Sequence, residues 1–579
     1  MARGANFIPM DQLEGRLTGE GHKIGIQTAS KANMNMIRVW GGGMVPPDPF
    51  YDACDEEGIL IYHDMMFVEE GGHRPFKTIT ISNEIRHLVR SLASHPSLLV
   101  WNGCNECEVI MGTPSEIYAN FVMETVAEED DTRPIWPSSP SKHGWKSGVR
   151  RIDSRPLPNN RNLTTWEPDA FSTHLESHGP YMRSFSHSYP GVNGLDVNFP
   201  YRNTPPELRK VNIGYDHPNQ FASEFGSSTM SSFESMKGTI STKHWSLHGG
   251  GDPDDCEIDY GNKNRCKGTN IMAERNYPCD SHIRAYFGVE EEELSAVGKA
   301  AFIKQLYMCL ISQTLWMKGE IESRRSQNYL GLLIWQLNEV WPTGGWGLIE
   351  YGRKTKDGSQ ISGGRWKPLM HLLKSSLFLD QISACGKGGM CYVRNDHFET
   401  VNFIVSFEAW DIEHVAPIRT YEYTNELEGG SIDWFDLPLD FTLETQIILI
   451  QLKVQLPSSL VPFDHRVSET IFLEDMPKRL KGLQSPVNIE ILDIYETNNG
   501  DAAIILASDK LALFVLLTTR AEGIFSDNCF FLRPLENKIV ILQSLEKRGT
   551  VNVEVLKATL RVEHLGLYVA SAGKVNEAR

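Results

Sequence analysis

Ile59-Leu60-Ile61-Tyr62-His63-Asp64 is a short apolar run closed by two polar residues, and the chain repeats that form on either side of it. Upstream, Met36-Ile37-Arg38-Val39-Trp40 is strand-like and stops at Gly41-Gly42-Gly43. Between the two, Asp48 is placed to cap a helix with Pro49 in its first position, and Gly58 to end it. Downstream, Ile85, Leu88, Val89, Leu92 and Ala93 recur at the spacing of one helix face. Pro96 then separates that helix from a further apolar run, Leu98-Leu99-Val100-Trp101. Much later, Phe302, Leu306, Cys309 and Leu310 mark another helix, and Leu330-Gly331-Leu332-Leu333-Ile334-Trp335 another strand. Fully apolar strands that alternate with helices belong to a parallel sheet covered on both faces. Over residues 1–380 this rhythm predicts a (β/α)8 TIM barrel. Trp40, Asp64, Asn105, Glu106, Glu224, Trp335 and Gln336 fall just after strands, which in such a barrel is the catalytic face.

Two stretches interrupt the rhythm. Residues 140–215 and 240–295 are rich in Pro, Gly, Asn, Ser and Asp and read as long loops over the active face. After about residue 385 the pattern changes to short alternating runs such as Thr400-Val401-Asn402-Phe403-Ile404-Val405-Ser406-Phe407. Such runs predict immunoglobulin-like β-sandwiches, one over 385–480 and one over 481–579.

The whole chain of 579 residues is too long for one core. Its formal charge of −18 argues against binding nucleic acid or an anionic membrane surface. No run of 18 or more apolar residues is present, so no membrane span is expected. The opening Met1-Ala2-Arg3-Gly4-Ala5-Asn6-Phe7-Ile8-Pro9 reads as a buried strand, not as a signal peptide. Cys256, Cys266 and Cys279 match no zinc spacing, and Asn162-Leu163-Thr164 is one glycosylation sequon.

Two of the 74 acidic residues stand apart. Glu106 ends Trp101-Asn102-Gly103-Cys104-Asn105-Glu106, and Glu224 lies in Phe221-Ala222-Ser223-Glu224-Phe225-Gly226. Each would project from the carboxyl end of a barrel strand. Glycoside hydrolysis needs two carboxyl groups facing one sugar, one protonated to give a proton to the leaving oxygen and one ionised. Neighbouring carboxylates split their pKa values, which supplies that division. Taken singly, either residue could as well be a surface or helix-start carboxylate.

The surrounding words decide otherwise. The segment from His95 to Glu106 resembles the acid/base segment of glycoside hydrolase family 2, and within it the β-mannosidases. Phe221–Gly226 resembles the family's nucleophile strand, Asn33–Gly43 an early strand lining the sugar site, and Trp335–Pro342 with Gly364-Arg365-Trp366-Lys367 the last strand and its loop. Phe525-Ser526-Asp527-Asn528 with Phe531-Leu532 resembles the terminal sandwich of the animal-type enzymes.

The resemblance implies a retaining mechanism with Glu106 as acid/base and Glu224 as nucleophile, the two carboxyls about 5–5.5 Å apart. It implies that Asn105 hydrogen-bonds the sugar 2-hydroxyl and that Trp40 and Trp335 wall the terminal-sugar site. Asp64, Arg38 and His63 are weaker candidates for substrate binding, since strand-end polar groups often only brace neighbours, and Trp101, in mid-strand, belongs to the core. The substrate implied is an oligosaccharide or glycoprotein-derived glycan with a terminal non-reducing β-D-mannose. No metal or organic cofactor is implied, and the family's usual compartments are lysosomal, vacuolar or extracellular. Family members also carry two N-terminal sandwich domains that this sequence lacks, so the missing N-terminal half is expected as a separate or lost segment. Two other readings stay open. One is a different family 2 specificity: β-galactosidase, β-glucuronidase, exo-β-glucosaminidase or endo-β-mannosidase. The other is an inactive sugar-binding remnant.

Overall fold

The computed structural model describes residues 1–68, 78–107, 118–130, 132–136, 138–140, 174–182, 206–211, 219–249, 272, 279–354, 361, 362, 364–442, 446–455, 467–483, 485–544 and 549–569. The sequon at Asn162 and the cysteines 256 and 266 lie outside them.

Eight strands form one sheet: β1 (Ala2–Phe7), β2 (Met36–Val39), β3 (Leu60–Asp64), β4 (Leu98–Asn102), β5 (Ile135–Trp136), β6 (His174–Met182), β7 (Asn219–Ser227) and β8 (Gly331–Ile334). In space they run β5-β4-β3-β2-β1-β8-β7-β6, and every pair is parallel. Each strand thus lies beside its sequence neighbour, and β1 beside β8, as in a TIM barrel. At the two ends of that order, Ser139, which follows β5, places its Oγ 2.6 Å from Glu176 Oε1 on β6. Met36, Tyr62, Val100 and Leu333 fill the barrel interior with Phe221 against them.

The helices between strands form for the reasons their termini suggest. Thr18 and Thr78 accept hydrogen bonds from the backbone N–H of Gly21 and Ile81 and so cap Gly19–Lys31 and Ile79–Leu92. Asp48–Glu57 ends at Gly58, whose φ of +69° is the left-handed conformation glycine tolerates. Its cap residue is Pro47, one position earlier than expected, and Asp48 is the first helical residue.

The interrupted stretches need correction. Residues 140–215 are not loop throughout, because His174–Met182 is barrel strand β6. Within 240–295, Asp280–Phe287 is a buried helix. Neither carries an apolar run or a clean helical stripe, since polar and aromatic side chains serve the interior instead.

The 28-residue helix Lys299–Ser326 has no solvent face over most of its length. Three neighbours cover it. Gln313 Nε2 donates to Ser227 O on β7 at 2.7 Å, Tyr307 Oη to Phe514 O at 2.9 Å, and Thr470 Oγ1 to Glu322 Oε1 at 3.1 Å. The last two partners belong to the sandwiches that follow the barrel, so one helix binds all three units.

The first sandwich packs strands 381–385, 390–395 and 431–436 against strands 401–410, 419–427, 447–455 and 467–473. Val393, Phe403, Val405, Phe407, Ile450 and Leu452 fill the space between. In the second, strands 489–496, 502–508, 524–525 and 538–543 face 512–518, 530–532 and 561–563. All pairings in both are antiparallel. Among the described residues, no helix is long and apolar enough to cross a membrane.

Candidate active site

The carboxyl ends of β2, β3, β4, β6, β7 and β8 converge on one buried polar cluster. Arg38, on β2, is its hub. Its Nε and Nη2 donate to the two carboxylate oxygens of Asp64, at 3.1 and 2.7 Å. Nη2 also donates to Asn105 Oδ1 at 2.7 Å, and Nη1 to Asn6 Oδ1 at 3.1 Å and Glu224 Oε2 at 3.0 Å. Burial alone would lower the guanidinium pKa, but Asp64 and Glu224 outweigh it and hold the group well above its ordinary value.

Glu224 lies on β7 and is nearly buried. Its second oxygen accepts from Tyr181 Oη at 2.7 Å. Burial first, and then the Glu224 charge, push the Tyr181 phenol far above its usual range, so it stays a donor. Glu106 lies beyond β4, with φ at +56°, a left-handed backbone that costs a non-glycine residue about 1–3 kcal/mol. The flanking structure imposes it: Glu106 N donates to Ser139 O at 2.6 Å, and Asn105 bridges both Val68 and Ser139. Cys104 and Cys107 bracket the pair and are bonded to each other. The Glu106 side chain is 22% exposed, against 8% for Glu224, so it is the one nearer solvent.

His178, on β6, stands between them. Its Nδ1 lies 2.9 Å from Glu106 Oε1 and 3.8 Å from Glu224 Oε2. Ligand atoms of Glu106, His178 and Glu224 all fall within 4.8 Å of one another. Two carboxylates and an imidazole at that range are metal-ligand types, but the Arg38 guanidinium already supplies the neutralising cation. The register of β6 against β7 shifts on both sides of His178. Such irregularities re-aim side chains. Here they bring Tyr181 to the face that Glu176 and His178 share.

Trp40 and Trp335, which follow β2 and β8, meet edge-on with ring centroids 5.3 Å apart. Glycines make room for both. A Cβ on Gly42 would come within 2.0 Å of the Trp40 ring, and one on Gly226 within 2.2 Å of Trp335 O.

The cluster thus gathers Glu106, Glu224 and Asn105, while Trp40 and Trp335 follow two of the strands that carry it and pack against each other. Arg38 and Asp64 also belong to it, but not where substrate contact was expected. Both are buried beneath the carboxylates, and Asp64 spends its oxygens on Arg38, Gly41 N at 3.1 Å and Asn102 Nδ2 at 2.8 Å. His63 turns outward: its Nδ1 bonds Asp64 O and its Nε2 faces Tyr51 Oη, at 2.7 and 2.9 Å. Burial pushes its pKa down to about 4. Trp101 is core, its Nε1 donating to Asp130.

Sequence reasoning missed Asn6, Ser139, Glu176, His178 and Tyr181. Asn6 left one signal, a polar residue within an apolar strand. Glu176, His178 and Tyr181 left none, because β6 has no apolar run, and Ser139 none, because it lies beyond the two-residue strand β5.

Comparison with known proteins agrees with this architecture. A family model described as an Ig-fold domain of the mannosidase type matches residues 486–566. A β-mannosidase of Capra hircus is 28% identical over 389 residues, 61% of this chain and 37% of the goat protein. β-Mannosidase A of Emericella nidulans is 25% identical over 600 residues, 93% of this chain and 56% of the fungal one. The chain therefore spans roughly a third to a half of the curated relatives it matches. The crystal structure of a β-D-mannosidase from Dictyoglomus thermophilum shares the fold, with a TM-score of 0.63 at 21% identity over 97% of this chain and 60% of that one. From barrel to terminal sandwich, the chain is a glycoside hydrolase family 2 β-mannosidase-like protein, homologous to mammalian and fungal β-mannosidases at about 25–28% identity and covering part of their length.

Proposed function

We propose that this chain is the catalytic portion of a retaining β-glycosidase that removes terminal non-reducing β-D-mannose from oligosaccharides. The observation that carries the reading is the pair Glu106 and Glu224, which bring one carboxylate oxygen of each within 4.8 Å of the other. That spacing suits direct attack on the anomeric carbon, whereas inverting enzymes hold the groups about 6.5–9.5 Å apart to admit a water.

In this reading Glu224 is the nucleophile. Arg38 and Tyr181 each place a donor on it, fixing the direction of attack. Glu106 gives its proton to the leaving glycosidic oxygen as a glycosyl ester forms on Glu224. Glu106, now a carboxylate, takes a proton from the water that hydrolyses the ester. Arg38 holds Asn105 Oδ1, which leaves the amide NH2 to donate to a sugar hydroxyl. Trp40 and Trp335 offer apolar faces to the pyranose. The relatives support mannose as the sugar, since the two curated relatives named above are β-mannosidases.

The test is hydrolysis of an aryl β-D-mannoside by the purified chain beside the galactoside, glucoside and glucuronide. Preference for the mannoside, lost in Glu224→Gln, is expected. Preference for another glycoside would keep the mechanism and replace the sugar. A folded chain inert to all four would overturn the assignment of activity to this portion alone.

A further inference from the structure

Below the two carboxylates lies a third carboxyl that the mechanism above does not use. Glu176, on β6, is buried in the barrel, two residues before His178. Its Oε1 is 2.9 Å from Tyr62 Oη and 2.6 Å from Ser139 Oγ. Among the described residues its Oε2, buried too, has no hydrogen-bond partner. Ser139 Oγ in turn lies 3.0 Å from His178 Nε2, and His178 Nδ1 lies 2.9 Å from Glu106 Oε1. One unbroken chain of hydrogen bonds therefore runs from Glu176 through Ser139 and His178 to Glu106.

The direction of that chain depends on where the Glu176 proton is. An ionised Glu176 would leave half of its charge on a buried oxygen that makes no hydrogen bond, which disfavours the charged form. A protonated Glu176 leaves there only a neutral carbonyl. The one strong cation nearby, Arg38 on β2, is committed to Asp64, Glu224, Asn105 and Asn6, and its Nη1 also lies 3.5 Å from His178 Nε2, a second donor that favours the same His178 tautomer. The other groups facing Glu176 are Tyr62 on β3, Ser139 after β5, His178 on its own strand and Ser223 on β7, none of them a fixed positive charge. Burial, the largest influence, raises the Glu176 pKa against the Ser139 and Ser223 hydroxyls and the charges of His178 and Arg38, which lower it.

We propose that Glu176 is a neutral carboxylic acid and a positioning residue that sets the tautomer of His178 and through it the behaviour of Glu106. Resting on the reading of Glu106 as acid/base, the chain is ordered as follows. The Glu176 hydroxyl on Oε1 donates to Ser139 Oγ. The Ser139 hydroxyl donates to His178 Nε2, which is thereby an acceptor. His178 Nδ1 then carries the ring proton and donates to Glu106 Oε1. No proton leaves the chain as Glu106 cycles between acid and base. A fixed donor meets its ionised form, and the exchangeable Glu106 proton is confined to the other oxygen, toward the leaving group.

Two measurements test this. The first needs no activity: infrared difference spectra of the parent chain and Glu176→Gln at neutral pH. A carboxylic-acid carbonyl band present in the parent and missing from the variant is expected, and its absence from the parent overturns the proposal. The second is the pH dependence of kcat/KM. Glu176→Gln, which keeps a donor, should lower kcat by less than about tenfold and leave the descending limb within about half a pH unit. Glu176→Leu and Ser139→Ala should both raise that limb, and the double variant no further than the larger single shift. A downward shift of more than about one unit in Glu176→Gln would mean a buried negative charge had been removed, and would also overturn it. If no glycoside is hydrolysed, the activity reading fails by itself while the infrared result still decides the state of Glu176.

Discussion

Arg38 Nη1 and Glu224 Oε2 stand 3.0 Å apart at the carboxyl ends of the barrel strands, with no exposed atom on the arginine. The contact joins β2 to β7 across the barrel, and the same guanidinium holds Asp64 and Asn105. Buried charges paired this way are costly to separate, because the partner left behind keeps its desolvation penalty.

Arg38→Met should therefore lower stability by about 3–5 kcal/mol. Arg38→Lys keeps the charge but not the planar fork that spans Asp64, Asn105, Asn6, Glu224 and His178. We expect its denaturation midpoint to fall less than that of Arg38→Met, while kcat falls at least about a hundredfold. Near-parental kcat in Arg38→Lys would show that a point charge suffices.

The two glutamates should separate kinetically. Glu224→Gln removes the attacking group and should abolish turnover of every substrate with the fold intact. Glu106→Gln should spare aryl glycosides with very acidic leaving groups and lose about 10²–10⁴-fold on poor ones. Equal loss across a leaving-group series would contradict the acid/base role.

Gly42 is a glycine of close approach. Gly42→Ala should displace the Trp40 ring and raise KM several-fold. Gly58→Ala provides the contrast: its φ of +69° is strained for alanine, yet a Cβ there meets nothing within 4 Å. It should cost about 1 kcal/mol of stability and leave KM alone. Equal KM values in Gly42→Ala and the parent would show that Trp40 does not border the substrate.

Acid should destabilise the fold through buried histidines. His282 has neither ring nitrogen hydrogen-bonded among the described residues, and burial lowers its pKa to about 3. His63 is likewise pushed down to about 4. Below about pH 6.5 the unfolded imidazoles take up protons that the folded ones refuse, so stability rises with pH across the window from about 4 to 6.5. Urea midpoints measured at pH 5 and pH 7 should show a smaller difference for His282→Phe than for the parent. An unchanged pH slope in that variant would remove His282 from the account.

The barrel was legible wherever a strand is buried on both faces. Met36–Val39, Leu60–Asp64, Leu98–Asn102 and Gly331–Ile334 are apolar runs whose sequence allows little else. The polar words that follow them, Asn105-Glu106 above all, were readable for the same reason: a strand's end is fixed by where its apolar run stops. β6 was not legible. Its inward residues are Glu176, His178 and Tyr181, chosen for one another across the barrel, so neither apolar content nor regular alternation marks the strand.

By itself, then, the sequence determined the alternation of strands and helices, the change to sandwiches and the two carboxylates at strand ends, because burial and chain period are local properties. Only the tertiary structure decided what each polar side chain does. Arg38 and Asp64 became braces, His63 turned away, and His178, Ser139 and Glu176 came into line behind Glu106. The contacts within that line from Ser139 to Glu176 and to Glu106 span 37 residues or more, distances across which no pattern along the chain records a hydrogen bond.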